Sequence, residues 1–248
     1  MIWFPTYLDL SSPLWKIPAL LPGSRLAVLA LTPPTQPPAA DEEGKYGEKR
    51  DFLSLTAVRI ATPIAYRIIF YGYFLCESAA ILAHQFPSPI SEDVLSITGG
   101  CGAHGIRATP LWLAGCVSLT CGSALRLACF RAMGKFFTWE LAVKKDHVLI
   151  THGPYSIVRH PSYLGGVLLE AGTLLTHFAP GSWYSECIGW DTWGSKLFTA
   201  AWGGWCVLVA ALLVARASAE DKILRKEFGE QWEAWARKTP YKVIPYIW

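Results

Sequence analysis

The chain has 248 residues, 52% of them hydrophobic and 17% charged, with 12 Trp, 10 Tyr and 11 Phe. Soluble domains carry about a quarter charged residues, so this composition counts against an ordinary soluble enzyme. A net charge of only +3 argues against a nucleic-acid footprint, and no nucleic-acid partner is expected.

Apolar runs define the predicted elements in chain order. The first and weakest, 14–31, reads LWKIPALLPGSRLAVLAL and is interrupted by Lys16, Pro18, Pro22, Gly23 and Arg25. No basic region precedes it and no obvious cleavage site follows, so a removed signal peptide is not expected. Residues 32–51, TPPTQPPAADEEGKYGEKRD, form a polyproline-then-charged linker that should stay extended and solvated. The second run, 52–84, exceeds the ~20 residues a crossing needs, which leaves its first turns (52–62) free to lie along the surface. Runs three and four cover 108–130 and 163–179, the latter short for a span. Run five, 197–216, ends at Arg216 and is followed by a polar amphipathic helix over 217–237, closed by Pro240.

These runs predict an all-α integral membrane protein with about five transmembrane helices. Runs four and five are consecutive and should form a C-terminal helical hairpin. Gly165, Gly166 and Gly172 on one helix, with Gly203 and Gly204 on the other, would let the backbones approach. Lys and Arg concentrate in 131–162 and in the tail from Arg216 to Lys242, whereas the other two connections hold only Arg107 and Lys196. The positive-inside rule therefore puts both basic segments in the cytosol, with five spans, or four if 14–31 lies flat. The seven cysteines form no C-x-x-C pair. Cys101 and Cys187 would pair only where both face an oxidising lumen.

The densest polar cluster is GPYSIVRHPSYLGG, 153–166. Gly153-Pro154 signals a turn, and His160 before a proline is pushed towards extended backbone. Pro161 suits the first helical position, so run four should start there, with the N–H groups of Ser162, Tyr163 and Leu164 open to a carboxylate or phosphate. Arg216 and Glu220 are four apart and share a helix face at the cytosolic end of run five. Two polar clusters meeting at the ends of one hairpin look like a cytosolic ligand pocket. Within the runs, Glu77, Glu170, His177, Arg67 and Arg126 read as intramembrane polar residues. Interhelical hydrogen bonding, such as Glu77 with Arg67 or Arg126, is their plain reading. Phe228, Trp232 and Trp235 read as interface anchors.

GPYSIVRHPSYLGG, preceded by DHVLITH and followed by RASAEDKILRKEFGEQWEAWARKTPYKVIPYI, resembles the isoprenylcysteine carboxyl methyltransferases over roughly 131–248. The resemblance implies an endoplasmic-reticulum membrane enzyme with its active site facing the cytosol. It would methylate the C-terminal carboxylate of prenylated cysteine in CaaX-processed proteins, with S-adenosyl-L-methionine as cofactor. It implies an N-terminal part (1–51), a transmembrane part (52–130) and a catalytic region (131–248). Prenylated CaaX proteins or peptides and membrane lipid would be the partners. Carried over residue by residue, the cofactor would meet His147, Val148, Leu149, Ile150, Tyr155, His160, Pro161, Ser162, Tyr163 and Glu220. Arg216 would clamp the substrate carboxylate, with Arg159 as a second catalytic residue, and no metal is implied. Glu140 and Lys238 depart from the family pattern. Phospholipid N-methyltransferases and NADPH-dependent sterol reductases share similar C-terminal signatures and stand as alternatives.

Overall fold

The computed structural model describes residues 12–36, 52–99, 101–139 and 144–247. Most of the proline-rich linker, Glu140 and the Cys101 side chain lie outside that description, and with them the Cys101–Cys187 pairing. Among the described residues every regular element is helical. In chain order the helices are α1 (Lys16–Leu31), α2 (Thr56–Gln85), α3 (Ser91–Ile97), α4 (Pro110–Met133), α5 (Pro161–Phe178), α6 (Trp193–Phe228) and α7 (Glu230–Lys238).

Local sequence sets the ends. Thr109 caps α4 by accepting from the Trp112 N–H at 3.2 Å, with Pro110 in the first turn. Thr192 does the same for α6, accepting from the Ser195 N–H at 3.0 Å. Gly134 and Gly229, at φ +52° and +49°, end α4 and α6 in a conformation that costs other residues more.

Segments Pro13–Leu31, Thr56–Gln85, Pro110–Phe136 and Trp193–Phe228 are long and apolar enough to cross a membrane. The predicted all-α membrane fold is therefore observed, with one exchange of roles: the weakest run is among the four, and the run inside the RHPSY motif is not. The 18 residues of α5 cover about 27 Å, short of a ~30 Å hydrocarbon core. It is an inner helix, burying Gly165, Gly166, Glu170, Gly172, Thr173, Thr176 and His177 against its neighbours.

The glycines work at a different interface from the one expected. A Cβ on Gly122 would stand 2.6 Å from the Gly165 carbonyl oxygen, and one on Gly172 would stand 2.3 Å from the Leu119 nitrogen. The backbone-to-backbone seam is thus α4 on α5. Against α6, Gly166 meets the Leu213 side chain, while Gly203 meets Leu174 and Phe178 and Gly204 meets open space.

Buried polar residues join the helices, as the plain reading held, with other partners than Arg67 or Arg126 for Glu77. Lys16 and Glu77 form a fully buried ion pair between α1 and α2. Lys16 Nζ also donates to the Gly181 carbonyl at 2.8 Å. Its charge is compensated internally, which is why a run broken by a lysine still packs as an apolar helix. Arg126 Nε donates to the Ala30 carbonyl at 2.8 Å, and Nη1 donates to the Ser162 carbonyl at 3.2 Å, tying the end of α1 to the start of α5.

The expected boundary at Arg216 does not exist. Residues 217–228 continue α6 without a glycine or proline, so one helix of 36 residues, about 54 Å, runs well beyond a bilayer core. Its break falls at Gly229.

Candidate functional site

The site is assembled where α5 begins and α6 projects. Gly153, at φ +61°, starts a single 3₁₀ turn over Gly153–Ser156 that buries Tyr155. The chain then meets the C-terminal segment, with the Arg159 N–H donating to the Tyr241 carbonyl at 2.9 Å and the His160 N–H to that of Lys242 at 2.7 Å. The Arg159 side chain completes the join. Nε and Nη2 fork onto Asp221 at 3.3 and 3.2 Å, and Nη1 donates to the carbonyls of Thr239 and Pro240 at 2.9 and 2.8 Å. Arg159 was expected beside the chemistry; its guanidinium instead fastens the tail to α6.

His160 lies between two carboxylates of α6. Its Nε2 is 3.0 Å from Asp221 Oδ1 and its Nδ1 is 3.3 Å from Glu220 Oε2. Burial alone would discharge the imidazole, but hydrogen bonds to Asp221 and Glu220 more than offset it and push its pKa up to about 9. The ring is therefore an imidazolium at neutral pH, donating from both nitrogens. Tyr163 stacks on it with ring centroids 5.4 Å apart and donates its hydroxyl to Glu220 Oε2 at 2.5 Å. Arg216, one turn before Glu220, adds its charge to the same carboxylate.

These residues border a cleft whose empty space, open solvent included, is about 1260 Å³. His147, Leu149, Ile150, Tyr155, Arg159, His160, Ser162, Tyr163, Arg216 and Glu220 all line it. The structure thus brings together ten of the twelve residues carried over by resemblance. Val148 and Pro161 are not among the lining residues; Val148 is exposed and Pro161 is packed inside the helix start. The helix start is also less open than expected. The Tyr163 N–H turns back onto the His160 carbonyl at 3.1 Å, and the Ser162 carbonyl and hydroxyl both accept from Arg126.

The same cleft is also lined by Leu31, Leu53, Tyr66, Gly166, Glu170 and Leu213. Trp235, expected at the membrane interface, is buried in the wall and donates its indole N–H to the Tyr155 carbonyl at 3.1 Å. Arg159 lies 5.8 Å from the Trp232 ring, and Phe228 packs edge-on against His147 at 5.6 Å. The amphipathic pattern of α7 carried the signal that Trp232 and Trp235 share one face. Tyr66, Leu31 and Leu53 had none, because their place in the wall depends on how distant helices pack.

His147 is half-buried, and burial lowers its pKa while Glu220 raises it, for a net fall. Its Nδ1 is buried with no hydrogen-bond partner among the described residues. A buried polar atom of this kind is costly unless a ligand reaches it.

Comparison with known proteins is consistent with this geometry. The chain is 31% identical over 90 residues to a protein-S-isoprenylcysteine O-methyltransferase of Dictyostelium discoideum, covering 36% of this chain and 37% of that one. It is 30% identical over 133 residues to the Schizosaccharomyces pombe enzyme of the same name, covering 52% and 47%. It is also 28% identical over 109 residues to a Delta(14)-sterol reductase of Saccharomyces cerevisiae, covering 44% and 21%. The chain therefore spans less than half the length of each of these curated relatives. The matched family segment runs from within α4 through α5 into the first turns of α6, and stops short of Arg216 and Glu220. The resemblance read from GPYSIVRHPSYLGG is borne out there: residues 113–199 match the Isoprenylcysteine carboxyl methyltransferase (ICMT) family.

Proposed function

We propose that the chain is a methyltransferase of the endoplasmic-reticulum membrane that uses S-adenosyl-L-methionine to methylate the C-terminal carboxylate of prenylated cysteine in CaaX-processed proteins. The observation that carries this reading is one cleft lined both by the polar Tyr163, Glu220 and His160 and by the apolar Leu31, Leu53 and Leu213. Such a cleft suits two ligands, one zwitterionic and one lipophilic, meeting at a single point.

The residues at the polar end fit S-adenosylmethionine. Glu220 would take the ammonium, Tyr155 and Tyr163 would face the sulfonium with their rings, and His147 offers an unsatisfied buried nitrogen. When bound, the cofactor supplies a methyl group activated on that sulfonium. A substrate carboxylate is ionised at neutral pH, so the chain needs no general base. Its residues orient the carboxylate, exclude water and compensate charge. Arg216, buried in the wall one turn from Glu220, is the clamp for that carboxylate. Arg159 acts at one remove, holding Asp221 and the tail in place. Contact between Arg159 and Asp221 puts the start of α5 and the projecting end of α6 on one side. That agreement with the basic segments supports a cytosolic polar end.

Detergent-solubilised protein should transfer a labelled methyl group from S-adenosylmethionine to N-acetyl-S-farnesylcysteine. Transfer to phosphatidylethanolamine instead would reassign it as a lipid N-methyltransferase. The similarity to a Delta(14)-sterol reductase favours a second reading, reduction of a lipophile in the same cleft. NADPH-dependent reduction of a sterol, without methyl transfer, would establish it.

A further inference from the structure

Ile244, Tyr246 and Ile247 are 40%, 86% and 78% exposed, an uncovered apolar group that belongs to no helix. They share one compact turn. The Ile247 N–H donates to the Ile244 carbonyl at 3.2 Å, and the Tyr246 ring lies 5.3 Å from that of Tyr241. Val243, between them, is buried and seats the turn on the fold.

Neighbouring helices fix the height of this turn along the bundle. Its entry strand is held immediately before α5, where the carbonyls of Tyr241 and Lys242 accept from the N–H groups of Arg159 and His160. α5 runs antiparallel to α4, with Gly165 against Gly122 and Gly172 against Gly115. Carried back along the chain, that register sets His160 and Arg159 level with Leu127 and Ala128, one turn before the exposed Arg131 that closes α4. On α6, Lys242 Nζ donates to Ser218 Oγ at 2.9 Å. There the apolar stretch 207–215 gives way to Arg216, Glu220 and Asp221. Both helices thus change from apolar to charged beside the turn, as they would where hydrocarbon meets headgroups.

We propose that residues 241–247 form an interfacial anchor that docks on the lipid headgroup layer at the side where α6 projects. Isoleucine side chains suit the acyl boundary, and tyrosine, with an apolar body and a polar tip, suits the headgroup level. Arg237 and Lys238, exposed at the end of α7 just before the turn, add positive charge that lipid phosphates accept. A soluble partner would have to meet this turn at the membrane edge, where lipid already lies. Docking would press the entry strand against Arg159 and His160, so the bilayer itself helps to hold the start of α5. The inference rests on the membrane fold and is independent of the reaction.

The whole chain in phosphatidylcholine nanodiscs, one copy per disc, tests it with photoreactive benzoylphenylalanine at position 246 or, as a control, at position 226. Lys226 is also exposed, but it lies eight residues beyond Ser218, about 12 Å further out along α6. Irradiation should attach phosphatidylcholine at position 246 at least tenfold more often than at 226, read as lipid adducts by mass spectrometry. Equal yields, or no lipid adduct at 246, overturn the anchor. With two copies per disc, crosslinked dimers through position 246 in place of lipid adducts overturn it in favour of a second copy of the chain. Tyr246→Ser combined with Ile247→Ser removes mostly exposed surface, so the fold should persist. In nanodiscs that variant should exchange the amide hydrogens of Arg159 and His160 at least threefold faster. Unchanged protection there overturns the holding role.

Discussion

Tyr163 donates its hydroxyl to Glu220 at 2.5 Å, joining two side chains 57 positions apart. One stands at the start of α5 and the other on the projecting end of α6, so the bond fixes how the two helices present the polar end of the cleft. If Glu220 receives an ammonium, Tyr163 is what aims it. Glu220→Ala is expected to weaken S-adenosylmethionine binding by about 1.5–3 kcal/mol, roughly ten- to a hundredfold. Tyr163→Phe should cost less, about 1 kcal/mol, because the charge remains. Titration calorimetry on detergent-solubilised protein checks both, and unchanged affinity in Glu220→Ala would remove that residue from the site.

His160 predicts a pH dependence with a definite sign. Its pKa is raised from 6.5 to about 9 by Asp221 and Glu220 against the effect of burial. A raised pKa means the folded state holds the proton more tightly, so the stabilisation is complete below about pH 6.5 and fades as pH climbs through about 9. Its ceiling is about 3 kcal/mol. Thermal unfolding midpoints measured from pH 6 to 10 should therefore show wild type and His160→Gln far apart at low pH and converging above about 9. Parallel curves would show that the imidazole is not charged in the fold.

Much of this site was readable before any coordinates. Pro161 as the helix start, and Arg216 and Glu220 on one face, follow from spacing and backbone chemistry alone. Ten of the twelve residues carried over by the family resemblance line one cleft. Partners set by helix packing were not readable. Lys16 looked like an interruption until Glu77 of α2 stood beside it, and the glycines of α5 gave no hint that α4 was their neighbour. Arg159 shows the limit of a motif, since spacing shows that an arginine is present but not that the tail consumes its donors.

That consumption makes Arg159 the residue whose loss should unmake the site from outside. Arg159→Ala leaves Asp221, 7% exposed, without its fork and frees the carbonyls of Thr239 and Pro240. Asp221 keeps its pairing with His160 at 3.0 Å, so the loss should fall short of the about 3–5 kcal/mol that removing one partner of an otherwise uncompensated buried ion pair costs. Arg159→Lys keeps the charge without the planar fork and should recover only part of it. Hydrogen exchange should rise at the backbone amides of Arg159 and His160, which donate to Tyr241 and Lys242 in the wild type. Protection unchanged in Arg159→Ala would mean that the tail is held by other contacts.

Arg216 should behave in the opposite way. As the carboxylate clamp it meets the acceptor rather than the methyl donor, so Arg216→Ala is expected to leave S-adenosylmethionine affinity within about threefold while lowering turnover roughly a hundredfold or more. Arg216→Lys should restore part of the turnover, because a point charge replaces the fork. Single-turnover methyl transfer, set beside cofactor titration, separates the two effects. A parallel loss of cofactor affinity would place Arg216 in the cofactor half of the cleft.

The seam between α4 and α5 allows the sharpest packing test. At Gly172 a Cβ would lie 2.3 Å from the Leu119 nitrogen and 2.8 Å from the Gly115 carbonyl oxygen, both backbone atoms of α4. Neither can move without displacing the helix, so Gly172→Ala must separate α4 from α5. At Gly204 the same methyl group meets open space. Overpacking of this kind typically costs about 1–3 kcal/mol. Glycine to alanine at an open helical site instead gains about 0.5–1 kcal/mol from propensity. Gly172→Ala should therefore lower the thermal midpoint in detergent and Gly204→Ala should hold or raise it. A Gly172→Ala protein as stable as wild type would mean that α4 and α5 do not share this backbone contact.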